Sequence, residues 1–355
     1  MGIEGAYLPK DNRNPKETFK VVEKTLGMLR ESGVVDPKDQ QKILEAAKNR
    51  LKPNEGLQTI SSDELIKRYQ EFSSKPVEHE GLYTGLKTLD GFLLGVQPKN
   101  FMVICARTGV GKTLIANYMV AKFAEQGEKI LYLALEENEQ EVGDRWSKIV
   151  LNNNINVPGD SVSFSYSEMI SAIKEDKYNL IALIGFYAEL GYTMICVDML
   201  NNLIDTVRDE DGNKFLNQLV GAAQANDMTL IMTARLRQPQ SDREKDFPSM
   251  DSVYGRVDLG YVVSKCIAVT QLPDEGDGMT CLRLHILKNR RKRIGMKKVF
   301  PKIKVDNLLK VKDAGDDDTA DGQWKEYENS SFGGFGSRTR TSSPINTAKK
   351  ANPEF

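Results

Sequence analysis

One segment constrains this chain more than any other: Ala106, Arg107, Thr108, Gly109, Val110, Gly111, Lys112 and Thr113. It follows the apolar run 101–105 and opens onto a helical pattern over residues 114–123. A strand, a glycine-bearing turn and a helix start together make a cradle for phosphate. The glycines let backbone N–H groups approach the anion, and the helix N-terminus favours its negative charge. Lys112 would reach the β- and γ-phosphates, and the Thr113 hydroxyl would hold Mg²⁺. The pattern is GxxxxGK[ST] with Ala106 at the position of the first glycine. A purely structural turn is the competing reading, and the flanking strand and helix weigh against it.

The surrounding pattern is α/β. Strand-like runs at residues 101–105, 129–135, 193–198 and 229–234 alternate with helix-length segments, as in a parallel sheet with crossover helices. Residues 266–272, a turn containing Asp-Glu-Gly-Asp-Gly, and residues 280–287 read as an antiparallel hairpin, with further strands near 299–305 and 308–311. The expected sheet is therefore mixed, parallel at its centre and antiparallel at one edge. Ahead of it, residues 1–60 read as a small helical region, with helices at 15–32 and 36–51. Residues 61–80 read as a linker helix, capped at Ser61 and carrying the stripe Leu65, Tyr69 and Phe72. That stripe has to dock on its own core or on a neighbouring subunit. The core is expected over 81–312, followed over 313–355 by a disordered tail, acidic and then rich in Gly, Ser and Arg.

A net charge of −1 leaves nucleic-acid binding to local patches. The four cysteines lie in apolar runs without metal-ligand spacing, and there are only two histidines, so the thiols read as reduced core residues. No apolar run reaches the roughly 18 residues that cross a bilayer, and no signal peptide is evident, so no membrane and a cytoplasmic location are expected.

Hydrolysis needs a second acidic group near the Mg²⁺, and Asp198 supplies it at the end of an apolar strand. The next residue is Met199, so the water-activating carboxylate must come from elsewhere. Glu136 ends the second core strand at the sheet edge where open α/β sheets bind ligands. Glu137 competes for the role.

These features resemble the RecA-fold core of DnaB-family replicative helicases, over roughly residues 81–312. The phosphate loop, the lead-in at residues 84–95, and Glu136 with Arg145 beyond it occur in the family's order. The resemblance implies an ATP-dependent, Mg²⁺-requiring DNA helicase. It would be a homo-oligomer, a hexameric ring on single-stranded DNA, with a helicase loader and a primase as possible partners. It also implies that Lys288 and Arg290 act on the neighbouring subunit's nucleotide, Arg290 as the arginine finger. Residues 283–304 contain ten Lys/Arg and no Asp/Glu, so a basic solvated or DNA-facing strip is the competing reading of Arg290, and Arg293 competes for the finger role. Two loops, 201–214 and 236–258, would line the channel, the second with Arg237, Arg243, Lys245 and Arg256 as DNA contacts. Arg235 stands where the family usually has a polar sensor, and could touch the γ-phosphate or DNA. Two rivals stay open: a RecA/RadA-like recombination or annealing ATPase, and a KaiC-like regulatory ATPase that does not bind DNA.

Overall fold

Strand β1 (Phe101–Ala106) is buried from end to end because helices cover both faces of its sheet. Phe101, Val103 and Cys105 pack on one side, and Met102, Ile104 and Ala106 on the other. Burial on both faces is why the central strands read as continuous apolar runs and not as alternations. In this computed structural model the described residues are 61–73, 81–166, 173, 177–203, 210–254, 259–290 and 300–317.

The other strands are β2 (Ile130–Ala134), β3 (Val162–Tyr166), β4 (Met194–Asp198), β5 (Thr229–Arg235), β6 (Lys265–Gln271), β7 (Thr280–Asn289), β8 (Pro301–Val305) and β9 (Val311–Asp316). They form one sheet in the order β3-β2-β4-β5-β1-β6-β7-β8-β9. Pairing is parallel from β3 through β6 and antiparallel from β6 to β9. The mixed sheet expected from the sequence is therefore present.

The helices are α1 (Ser62–Ser73), α2 (Lys87–Leu93), α3 (Lys112–Glu125), α4 (Glu139–Asn152), α5 (Asn179–Glu189), α6 (Glu210–Ala225), α7 (Asp242–Asp246) and α8 (Leu259–Val262). Buried residues of α2, α3 and α4 share one core with Met102 and Ile104. Those of α5 and α6 share the other with Phe101 and Val103. Cys105, Cys196, Cys266 and Cys281 are free and buried.

The structure departs from the sequence reading in three places. Strand β3 was not expected: Ser163 and Ser165 dilute its apolar signal, and pairing with β2 makes it a strand. The strand expected over 308–311 begins at Val311 instead. Asp306 Oδ1 accepts from the Leu308 and Lys310 amides, both at 2.9 Å, and holds a turn in which Leu309 has φ 60°. Order also passes the expected boundary at 312. The carboxylate of Asp317, placed in the tail by its acidic neighbourhood, lies 2.7 Å from the Arg283 guanidinium, and both side chains are 5% exposed.

Helix α1 carries its Ser61 cap (Glu64 N to Ser61 Oγ, 3.2 Å), with Leu65 and Ile66 exposed. The side chains of Tyr69 and Phe72, the expected helices at 15–32 and 36–51, and the tail beyond 317 lie outside the described residues.

Candidate active site at the carboxyl edge of the sheet

Four parallel strands deliver the site. At their carboxyl ends, β2 runs into Glu136, β4 ends in Asp198, β5 ends in Arg235 and β1 ends in Ala106. Register explains the convergence: Ala134 lies opposite Asp198, and Ala106 opposite Arg235. The residues singled out from the sequence on separate strands therefore share one edge.

The phosphate loop spans the gap between β1 and α3. Gly109 (φ 80°) and Gly111 (φ 109°) both sit in the left-handed region, where a side chain would be strained. Gly111 is also the N-cap of α3, and its carbonyl accepts from Ile115 N at 3.0 Å. The helix then starts on Lys112, its first-turn amides directed into the loop. Lys112 Nζ lies 3.4 Å from Thr113 Oγ1. Arg107 turns the other way. Its guanidinium donates to the Lys245 and Glu244 carbonyls at 3.0 and 3.1 Å, so it struts the loop against α7.

Asp198 is 6% exposed, and both of its oxygens are engaged. Thr233 Oγ1 donates to Oδ1, and the Tyr132 hydroxyl donates to Oδ2 at 3.2 Å. A hydroxyl on Thr113 and a fixed carboxylate on Asp198 are the hard oxygen donors that suit Mg²⁺, which takes few protein ligands and keeps phosphate oxygens and water.

Glu136 and Glu137 are bound differently. Glu136 Oε1 accepts from Arg235 Nη2 at 3.0 Å, and these side chains are 39% and 47% exposed. Glu137 pairs with Arg145 of α4, and both are half-buried. The exposed carboxylate on the open edge is Glu136. Arg235 touches more than that: its amide donates to Asn201 Oδ1 at 2.8 Å, and its carbonyl accepts from Tyr254 N at 2.7 Å. It thus joins the candidate base to both expected channel loops.

Lys288 and Arg290 are not brought to this edge. Lys288 Nζ donates to the Gly260 carbonyl, and Arg290 Nη2 to those of Tyr261 and Val262. Burial and the charge of Arg290 hold the Lys288 ammonium below its ordinary range. Strand β7 explains the separation. Leu282 lies beneath Gly111, and Arg290 follows the end of β7, eight residues on from Leu282; at roughly 3.4 Å per residue that puts it roughly 25 Å away.

Of the expected DNA contacts, Arg237 is spent inside its own loop, on Glu244 (2.9 Å) and the Asp251 carbonyl (2.9 Å). Lys245 is exposed on α7, Arg243 is half-buried there, and Arg256 lies outside the described residues. Sequence reasoning missed Tyr132, Asn117 and Thr233. A buried asparagine within an otherwise apolar helical stretch was the one available signal.

A family profile described as "ATPase: KaiC" matches residues 82–316, most of the chain. The chain belongs to the KaiC-type ATPase family. One curated relative of this ATPase, the circadian clock protein KaiC2 of Synechocystis sp., is 23% identical over 163 residues, which is 44% of this chain and 28% of that protein. The chain thus spans little more than a quarter of that relative's length.

The resemblance to DnaB-type helicases holds in the fold. A DnaB-like replicative helicase, solved in a study of its interactions with primase, superposes with a TM-score of 0.52 at 16% identity, covering 83% of this ATPase and 75% of that chain. A second solved structure, an isolated ATPase domain, gives 0.50 at 17%, covering 70% and 96%. The core is RecA-like, with its sheet parallel at the centre and antiparallel at one edge. Among the described residues, no helix is long and apolar enough to cross a membrane.

Proposed function

We propose that this ATPase is a DNA helicase of the DnaB type, built as a ring of identical subunits, hexameric as in the resembled family. It would hydrolyse ATP at subunit boundaries and move along single-stranded DNA in the cytoplasm. What supports this reading is the likeness in fold to a DnaB-like replicative helicase, together with the placement of Arg290 away from its own phosphate loop, by roughly 25 Å reckoned along β7. A finger at that distance serves a nucleotide only across a boundary.

The chemistry divides among the chain's own residues. Backbone amides of Gly109 to Thr113 and the Lys112 ammonium hold the phosphates. Mg²⁺, when bound, neutralises charge on the β- and γ-oxygens. Glu136, released from Arg235, orients and polarises the attacking water. Arg290 of the adjacent subunit stabilises charge on the transferring phosphoryl group, an effect worth roughly 10³–10⁵ in rate. Lys245 and Arg243 on α7 would meet the DNA backbone, coupled through Arg107 to the phosphate loop. A loader and a primase are the partners this reading entails.

A second reading has its own support. The matching family profile and the clock-protein relative keep open a regulatory ATPase, for which no DNA binding would be required. One experiment separates the two. The purified protein is given ATP and a forked duplex, with turnover, strand displacement and ring formation measured together. Displacement and DNA-stimulated turnover in the wild type, with Arg290→Ala still assembling but losing the stimulation, support the helicase. Turnover indifferent to DNA, without displacement, supports the regulatory ATPase.

A further inference from the structure

The Asp198 carboxylate is clamped by groups that no motif predicts. Asn117, 2% exposed in α3, donates from Nδ2 to the Thr113 carbonyl at 2.9 Å and to the Tyr132 hydroxyl at 2.8 Å. The Tyr132 hydroxyl in turn donates to Asp198 Oδ2 at 3.2 Å, and Thr233 donates to Oδ1 from the other side. Tyr132 and Thr233 are fully buried, on the strands flanking β4. One hydrogen-bonded path therefore runs from the backbone carbonyl of Thr113, the residue whose hydroxyl suits a cation, to the Asp198 carboxylate.

Packing alone does not call for these groups. A phenylalanine would fill the Tyr132 site, and Asn117 could satisfy itself on the Thr113 carbonyl. An ionised carboxylate offers about four acceptor positions. With one neutral donor on each oxygen, a fixed position on each is left for the water shell of a hydrated dication, which suits a cation reluctant to shed its water.

We propose that Tyr132, set by Asn117, and Thr233 are positioning residues for the divalent cation of this ATPase: they fix the rotation of Asp198 so that its free acceptor positions meet the cation's water shell. The inference rests on the reading of Asp198 as the metal-side carboxylate. Partners of this kind typically contribute 10- to 100-fold in metal affinity.

The test titrates Mn²⁺ into the full-length protein held with a non-hydrolysable ATP analogue, reading free Mn²⁺ by electron paramagnetic resonance. Nucleotide affinity is measured separately without metal. Tyr132→Phe and Thr233→Val are expected to weaken Mn²⁺ binding by about tenfold or more, with metal-free nucleotide affinity unchanged. Thr233→Ser, which keeps the hydroxyl, should bind Mn²⁺ within about twofold of wild type. The serine/valine contrast carries the test should the phenylalanine variant fold poorly. Wild-type Mn²⁺ affinity in the Phe and Val variants, with Asp198→Asn strongly impaired, overturns the inference and leaves the site reading intact. Equal loss of metal-free nucleotide binding would make the groups merely structural and also overturn it. Unchanged Mn²⁺ affinity in Asp198→Asn overturns both.

Discussion

Arg235 occupies the position where the most information meets: a candidate base on one side and two loops on the other. Its pair with Glu136 is close to half exposed, and such pairs are worth at most about 1 kcal/mol. That is enough to bias Glu136 toward a resting position and too little to resist a γ-phosphate. Arg235→Gln is therefore expected to raise DNA-free turnover by about two- to fivefold and to shrink the stimulation by DNA to the same extent. Steady-state ATPase assays with and without oligonucleotide read this out. A fall of more than tenfold in both conditions would instead put the guanidinium on the phosphate. At this scale the motif residues were legible because their chemistry dictates spacing: a lysine and threonine after glycines, an aspartate at a strand end. Tyr132 and Thr233 were not, since a tyrosine and a threonine inside apolar strands look like ordinary core. Their shared partner, Asp198, comes from a strand distant in sequence.

Helix α7 is short, yet it ties the phosphate loop to the loop after β5. Its Glu244 is the hub. It accepts from the Gln240 amide (2.8 Å) and the Ser252 hydroxyl (2.7 Å) and faces Arg237 (2.9 Å). Burial works against this carboxylate. The Gln240 amide, Ser252 and the charges of Arg237 and Arg107 outweigh it and hold its carboxyl below the usual range. A pKa lower in the folded than in the unfolded chain adds stability at pH values above the unfolded value, about 4.3. That contribution is lost as pH falls through the folded value. The difference in melting temperature between wild type and Glu244→Gln should accordingly be largest near neutral pH and close below about pH 4. A gap that stays constant through that range would remove Glu244 as the hub. Strands β1, β2, β4 and β5 were legible as elements because burial on two faces demands unbroken apolar runs. Strand β3 was not, because its alternating serines carry meaning only once β2 is beside it.

For the whole molecule, the last strand is fastened by a buried ion pair, Arg283 with Asp317. Removing one partner leaves an uncompensated buried charge, which costs about 3–5 kcal/mol. Asp317→Ala should lower the melting temperature by several degrees or more in differential scanning calorimetry, while Asp316→Ala, on the same strand's end, should do far less. Equal effects would mean the ion pair is not what holds β9. No local signal marked Asp317 as structural, since its neighbours Asp316 and Asp318 give the segment the look of a solvated tail. The antiparallel edge was legible from the acidic turn between β6 and β7, but the place of residues 313–317 in that edge was not.

If Arg290 serves a neighbour's nucleotide as proposed, the opposed positions of the phosphate loop and Arg290 would give each protomer a polarity, with a receptor on one sheet edge and a donor on the other. Two copies facing each other across a two-fold axis would match like with like and complete neither. On that reading the subunits would join head to tail, and the angle of each step would decide whether the assembly closes or winds on as a helix. Lys288 and Arg290, anchored on the carbonyls of α8, would then help to set that angle.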